Sequence, residues 1–189
     1  CAFGLSKRKV TLSTAGLVPG IMRMKETLDC SLAISLHAPT DSVRNVLVPV
    51  NRKYPIKDLL AAASEYIESR QSLRKLIIEY TLIEGVNDSP QDAAQLADLL
   101  KSVKCKINLI PFNTFNGSDY KSPKDQCVKA FQRRLVSAGH RVMIRSTRGS
   151  DIMAACGQLA ELSQNYANES TECESDEQRK VVLTFRESA

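Results

Sequence analysis

The chain is 189 residues long, 43% hydrophobic and 25% charged, which suits one domain with a sizeable core. No apolar run reaches the roughly 18 residues of a membrane span, and the N-terminus CAFGLSKRKV lacks the charged-then-apolar layout of a secretory signal. The six cysteines (Cys1, Cys30, Cys105, Cys127, Cys156 and Cys173) stand singly, without the dense paired spacing of a secreted disulfide framework, and with no CxxC or CxxxCxxC no metal or cluster site can be read from them alone.

Scattered thiols without a signal point to a reducing, cytoplasmic setting with no membrane partner. The sequence begins without Met, so the natural chain is expected to start further upstream. The net charge of +5 hides an asymmetry: residues 161–189 carry −4 and the remainder +9. A folded part this basic suits a polyanion such as nucleic acid, although an ordinary basic surface explains the same count.

Strands and helices alternate along the chain. KVTLS (9–13) reads as a strand, followed by CSLAISLHA (30–38). PIKDLLAAASEYIESR (55–70) opens a helix on Pro55, and KLIIEYTLI (75–83) is the third strand. SPQDAAQLADLLKSV (89–103) starts with Ser89 as N-cap, Pro90 in the first turn and Asp92 three residues after the cap, a capping-box pattern. KINLIPF (106–112) is the fourth strand, KDQCVKAFQRRLVSAG (124–139) a helix stopped by Gly139, and HRVMIRS (140–146) the fifth strand. A further helix is expected from about Asp151. The near-continuous Val/Ile/Leu runs suggest strands covered on both faces, and strand–helix alternation means βαβ crossovers and a parallel sheet. From about Gln164 the composition turns polar and acidic. Residues 1–163 therefore read as the folded part and 164–189 as a solvated, disordered tail, with VVLTF (181–185) either a late strand or unanchored.

In parallel α/β sheets ligands bind beyond the carboxyl ends of the strands. The segments there are STAG (13–16), SLHAP (35–39), EGVND (84–88), PFNTFNG (111–117) and RSTRGSD (145–151). They offer hydroxyls at Ser13, Thr14 and Ser35, an imidazole at His37 and amides at Asn87, Asn113 and Asn116, a set suited to holding a polar cofactor. Each has a plainer role open to it: Ser13 and Thr14 as caps, Asn87–Asp88 as turn residues, His37 as a satisfied structural histidine.

One thiol stands apart. In RGSDIMAACGQL, Ala154, Ala155 and Gly157 leave Cys156 sterically open, and a helix start together with Arg145 and Arg148 would lower its pKa. Small residues around a cysteine also suit a tight helix–sheet contact, so nucleophile and core filler both remain open on the residues alone. Cys30 and Cys105 lie in apolar strand edges and read as structural.

Several motifs together resemble one family. VTLSTAGLVPGI, LAISLHAPTDSVRNVLVPVNRKYPI, IEYTLIEGVNDS, CKINLIPFN and TRGSDIMAACGQL are similar to the C-terminal part of the radical-SAM adenosine C2 methyltransferases of 23S ribosomal RNA and transfer RNA, close relatives of the Cfr-type C8 enzymes. The likeness runs from about Gly4 to Leu162. It implies the later βα units of a partial (βα)6 TIM-like barrel that holds S-adenosylmethionine (SAM) against a 4Fe–4S cluster. By motif, Ser13, Ser35, Leu36, His37 and Asn113 match SAM contacts, and Cys156 matches the cysteine that is S-methylated before its methyl carbon is passed to adenine C2 by a radical route. An external electron donor and a monomeric enzyme go with that reading, and Lys7, Arg8, Lys9, Arg133, Arg134 and Arg148 are candidates for gripping RNA phosphates.

The family's cluster loop, its GEP-type segment and its upstream resolving cysteine precede the stretch seen here, and no metal ligand is assigned in this chain. The sequence therefore reads as the back two-thirds of a barrel, with the strand at 9–13 left as an unpaired edge. This polypeptide alone is expected neither to bind a cluster nor to turn over. A truncated, non-catalytic RNA-binding remnant and a C8-methylating enzyme are the alternatives.

Overall fold

A computed structural model describes residues 10–69, 76–114 and 118–145. The chain divides into two units, 1–147 and 148–189, and the described residues all belong to the first. The expected boundary at 163/164, the helix from Asp151, the tail, Cys1, Cys156, Cys173, Asn116 and the basic residues Lys7, Arg8, Lys9 and Arg148 lie outside the described residues.

Five strands, β1 (Thr11–Thr14), β2 (Ser31–Ser35), β3 (Leu76–Leu82), β4 (Cys105–Pro111) and β5 (Arg141–Ile144), form one sheet in chain order, every neighbouring pair parallel. Each crossover carries helix: α1 (Val18–Thr27), then α2 (Asp41–Leu47) with a 3-10 turn at Pro49–Arg52 and α3 (Ile56–Glu68), then α4 (Pro90–Leu99) and α5 (Asp125–Ser137). Among the described residues β1 and β5 are the sheet edges, as the sequence predicts for the first strand.

The five expected strands and the three expected helices that fall on described residues form, with ends shifted by one to a few residues; β1 runs on to Thr14 and β4 begins at Cys105. Ser89 caps α4 in a complete capping box: its hydroxyl accepts from Asp92 N, and the Asp92 carboxylate accepts from Ser89 N. Gly139 (φ 91°) ends α5 in a Schellman motif, with Gly139 N donating to Val136 O and His140 N to Leu135 O. Pro55 is the N-cap of α3 and stands one residue outside the helix. Helices α1 and α2 are additional to the sequence expectation. In α1 Pro19 and Gly20 look like breakers, yet Pro is tolerated in a first helical turn, where its missing N–H has no partner to lose.

The helices bury one face of the sheet. Leu32 and Ile34 of β2, Leu76, Ile78, Tyr80 and Leu82 of β3, and Ile107 and Leu109 of β4 are sealed against Ile21, Leu59, Ala63, Tyr66, Leu96, Phe131 and Leu135. Each such aliphatic side chain contributes about 1.5–3 kcal/mol by leaving water. The other face differs from the sequence expectation of strands covered on both faces. β3 alternates buried and half-buried residues along its whole length, so Ile77, Glu79 and Thr81 stay half-buried, as do Ser35, Lys106, Asn108 and Ile110, while Thr11, Ser13, Arg141 and Met143 are exposed. Ile77 and Ile110 made the runs look continuous, yet they sit on this more open, mixed-polarity face. No described helix is long and apolar enough to cross a membrane.

Candidate functional site at the carboxyl ends of β1 to β4

Register places the open-face residues in rows across the sheet. Ser13, Ala33, Ile77, Lys106 and Arg141 make one row, and Ser35, Glu79, Asn108 and Met143 the next towards the carboxyl ends. Ser13 and Ser35 are brought together by one carboxylate. Both hydroxyls donate to Glu79 Oε2, at 3.4 Å from Ser13 and 3.5 Å from Ser35.

The Ser35-Leu36-His37 segment leaves β2 along a path that Glu79 also fixes. Leu36 N donates to the Glu79 carbonyl at 3.0 Å and His37 N to the same oxygen at 3.4 Å. Leu36 is fully buried in the core and its carbonyl accepts from Arg44 Nε at 2.9 Å, so its side chain and both backbone groups are committed to the protein. His37 is the one described non-glycine residue at positive φ, 60°, a conformation that costs an ordinary residue energy and recurs at functional sites. Two contacts hold it there: its Nδ1 accepts from Thr81 N at 3.1 Å, and its carbonyl accepts from Asn87 Nδ2 at 2.8 Å. Because Nδ1 is an acceptor, the proton of the neutral ring lies on Nε2. Burial, with help from the Arg44 charge, lowers the His37 pKa to about 4, so the ring is a neutral Nε2–H donor at physiological pH.

Arg44 was invisible as a site element in the sequence. It is fully buried, and its guanidinium ties three carbonyls at the strand ends: Leu36 O at 2.9 Å, Ala15 O at 2.7 Å and Ser35 O at 3.1 Å. A fourth bond, Nη1 to Asn51 Oδ1 at 2.8 Å, leads through Asn51 Nδ2 to the Asp41 carboxylate at 2.8 Å. Gly16 makes room for this: it has φ 117°, and a Cβ there would stand 3.1 Å from Arg44 Nη2 and 3.1 Å from Leu59 Cδ2.

The other candidates separate. Thr14 Oγ1 accepts from Gly16 N at 3.1 Å and serves the turn. Asn87 is fully buried with its amide committed: Oδ1 takes Ile83 N at 2.7 Å, and Nδ2 donates to His37 O and to Thr81 O. It is a turn residue, and it braces His37. Asn113 is half-buried just past β4, beyond the bond from Phe112 N to Leu82 O. Cys30 is buried against the Tyr66 hydroxyl, and burial raises the half-buried Cys105 to about 11; both placements suit the structural role expected of them.

No protein-family model matches the chain. It is 57% identical over 158 residues to the dual-specificity RNA methyltransferase RlmN of Marinobacter nauticus, a match that covers 84% of this chain and 43% of that protein. Over those residues the chain is a homologue of RlmN. The RlmN proteins of Marinomonas sp. (56% identical over 158 residues, 84% of this chain and 43% of the relative) and Saccharophagus degradans (55% over 159, 84% and 40%) agree. The chain thus spans less than half the length of the RlmN relatives it matches. Among solved structures, a radical SAM methyltransferase from Sphaerobacter thermophilus superposes with a TM-score of 0.76 at 43% identity, covering 82% of this chain and 45% of that one. A domain of a pyruvate-formate lyase-activating enzyme from Bacteroides vulgatus, 19% identical with a TM-score of 0.56, covers 72% of this chain and 80% of that one, and shares the fold alone.

The residues present fit one of the two groups that such proteins use. Two hydroxyls, the half-buried carboxylate of Glu79 level with Ser35, and the Nε2–H of His37 can hold a polar, hydroxyl-rich cofactor such as SAM. A cluster finds no ligand set: among the described residues no three His, Cys, Asp or Glu are grouped to hold a metal.

Proposed function

We propose that this chain is the SAM-binding and methyl-carrying portion of a radical-SAM RNA methyltransferase that acts on C2 of an adenosine in 23S rRNA, tRNA or both. The 57% identity to RlmN over 158 residues carries the reading. Ser13, Ser35, Leu36, His37 and Asn113 are its SAM residues, Leu36 acting through its anchoring of the segment that carries Ser35 and His37. SAM supplies the methyl group when bound. Cys156 accepts that methyl on its sulfur, which suits chemistry at an adenine carbon too weakly nucleophilic to take it directly. Burial keeps the His37 ring an uncharged donor at neutral pH. The exposed Arg133 and Arg134 on α5 are the described basic residues assigned to RNA phosphates. The same reading places the protein in the cytoplasm, as a monomer served by an external electron donor.

The test is made on the full-length gene product, wild type and Cys156→Ser, expressed in a host that lacks its own C2 methyltransferase. Nucleoside mass spectrometry of 23S rRNA and tRNA is expected to show 2-methyladenosine with the wild type and none with the variant. C2 methylation that survives the serine overturns the assignment of Cys156. Formation of 8-methyladenosine transfers the protein to the C8 enzymes.

A further inference from the structure

Glu79 is not among the SAM residues named above, yet four of them meet on it: Ser13 and Ser35 at its carboxylate, Leu36 and His37 at its carbonyl. Its side chain lies half-buried on the open face of the sheet, level with Ser35 on one side and Asn108 on the other. Its contacts are incomplete. Among the described residues it receives two hydrogen bonds, both on Oε2, from Ser13 at 3.4 Å and Ser35 at 3.5 Å. A well-made hydroxyl–carboxylate bond is about 2.5–2.7 Å, and an ionised carboxylate has about four acceptor positions. No cation is paired with it: the ion pair formed among the described residues joins Lys25 to Glu65. A half-buried carboxylate held this loosely is short of donors, and its partial desolvation is offset only if something else supplies them.

The two serines show what that something is. Each spends its only proton on Glu79 and keeps its lone pairs, so Ser13, Ser35 and Glu79 together present acceptors towards the open face. A ligand that fits must bring donors. Two adjacent carboxylate oxygens match two adjacent hydroxyls, the pairing by which an acidic residue takes a ribose in dinucleotide sites. Resting on the SAM-site reading, we infer that Glu79 is a further binding residue of that site, and that its carboxylate takes the ribose 2′- and 3′-hydroxyls with Ser13 and Ser35 beside it.

Binding is measured by equilibrium dialysis on the full-length protein, wild type and Glu79→Gln, with three probes: SAM, 5′-methylthioadenosine, which keeps the ribose and lacks the amino-acid group, and the 2′,3′-dideoxy form of methylthioadenosine. Glu79→Gln is expected to weaken SAM and methylthioadenosine alike, by ~10-fold or more, with a melting temperature near that of wild type. In the wild type the dideoxy probe is expected to bind ~10-fold more weakly than its parent, and in the variant that gap is expected to shrink to about twofold. Unchanged affinity for both ribose probes in the variant overturns the inference. So does a loss confined to SAM, which would put the amino group at Glu79 instead. The wild-type comparison stands even if the variant does not fold: a dideoxy probe that binds as tightly as its parent also overturns it. A wild type that binds no SAM sinks the SAM-site reading itself, a different failure from a wild type that binds SAM while Glu79→Gln changes nothing.

Discussion

Replacing Arg44 by methionine tests the scaffold most directly, because it keeps the length of the side chain and removes the charge and all donors. The arginine is fully buried and makes four hydrogen bonds of 2.7–3.1 Å, three of them to the carbonyls of Ala15, Ser35 and Leu36. A hydrogen bond to a charged group contributes about 1.5–3 kcal/mol net, and a buried acceptor left without a partner costs about 1–3 kcal/mol. The four are not additive, since one side chain makes them all. Burial of the cation also acts against it: desolvation lowers the Arg44 pKa, and the Asp41 charge, relayed through Asn51, works the other way. Opposing these terms leaves ~3–5 kcal/mol of destabilisation, the range seen when one partner of a buried polar cluster is removed.

Urea denaturation of the protein reads this directly. With a slope of about 2 kcal/mol per molar, the Arg44→Met midpoint is expected to fall by about 2 M. Arg44→Lys keeps the charge but offers its donors from one point, so it cannot span carbonyls on two strand ends, and it is expected to recover less than half of the loss. A methionine variant within ~1 kcal/mol of wild type would show that the strand-end carbonyls are satisfied without the guanidinium, and the clamp argument would be wrong.

Three further outcomes follow from single observations. The His37 pKa is about 4 in the folded protein against an ordinary value of 6.5, so His37 favours folding fully above pH 6.5 and progressively loses that contribution as the pH falls towards 4; the loss reaches about 3 kcal/mol. Urea titrations of wild type and His37→Asn at pH 7 and pH 4 are expected to show their difference changing by about that amount, and a difference that is flat with pH refutes it. Gly16→Ala meets both an unfavourable φ and two atoms at 3.1 Å, so thermal melts are expected to show a loss of ~1–3 kcal/mol; a neutral alanine means the turn can shift. Ser89→Ala removes half of a capping box and is expected to cost about 1 kcal/mol, whereas no change in the denaturation midpoint would show that Asp92 alone suffices to hold the helix start.

The elements that the sequence showed well are those whose signals are local. Ser89, Pro90 and Asp92 announce α4 because a capping box needs only four consecutive residues. Gly139 announces the end of α5 for the same reason. The strand-end rule led to Ser13, Ser35 and His37 because a parallel sheet must present those positions together. Arg44, Asn51 and Glu79 went unread for one shared reason. A buried arginine and a solvent arginine look alike in sequence, and Arg44 is satisfied by carbonyls from residues 15, 35 and 36, whose proximity exists only after β1 and β2 pair. Glu79 interrupts the apolar run LIIEYTL, a polar residue inside a strand, and that interruption was the signal available.

The distribution of these hydrogen bonds explains how a strained residue can hold a fixed position at a strand end. The carbonyls of Ser35, Leu36 and His37 are taken, by Arg44 for the first two and by Asn87 for the third. The N–H groups of Leu36 and His37 are taken by the Glu79 carbonyl, and His37 Nδ1 by Thr81 N. Every backbone polar group from the Leu36 N–H to the His37 carbonyl is thereby engaged, and the left-handed turn at His37 is over-determined. Such a turn costs of order 1–3 kcal/mol, less than the several hydrogen bonds that enforce it. Among the described residues the Ser35 lone pairs and the His37 Nε2–H are the polar sites of this segment that hold no part of the turn. Ligand groups can therefore bind and leave there without disturbing the backbone that presents them.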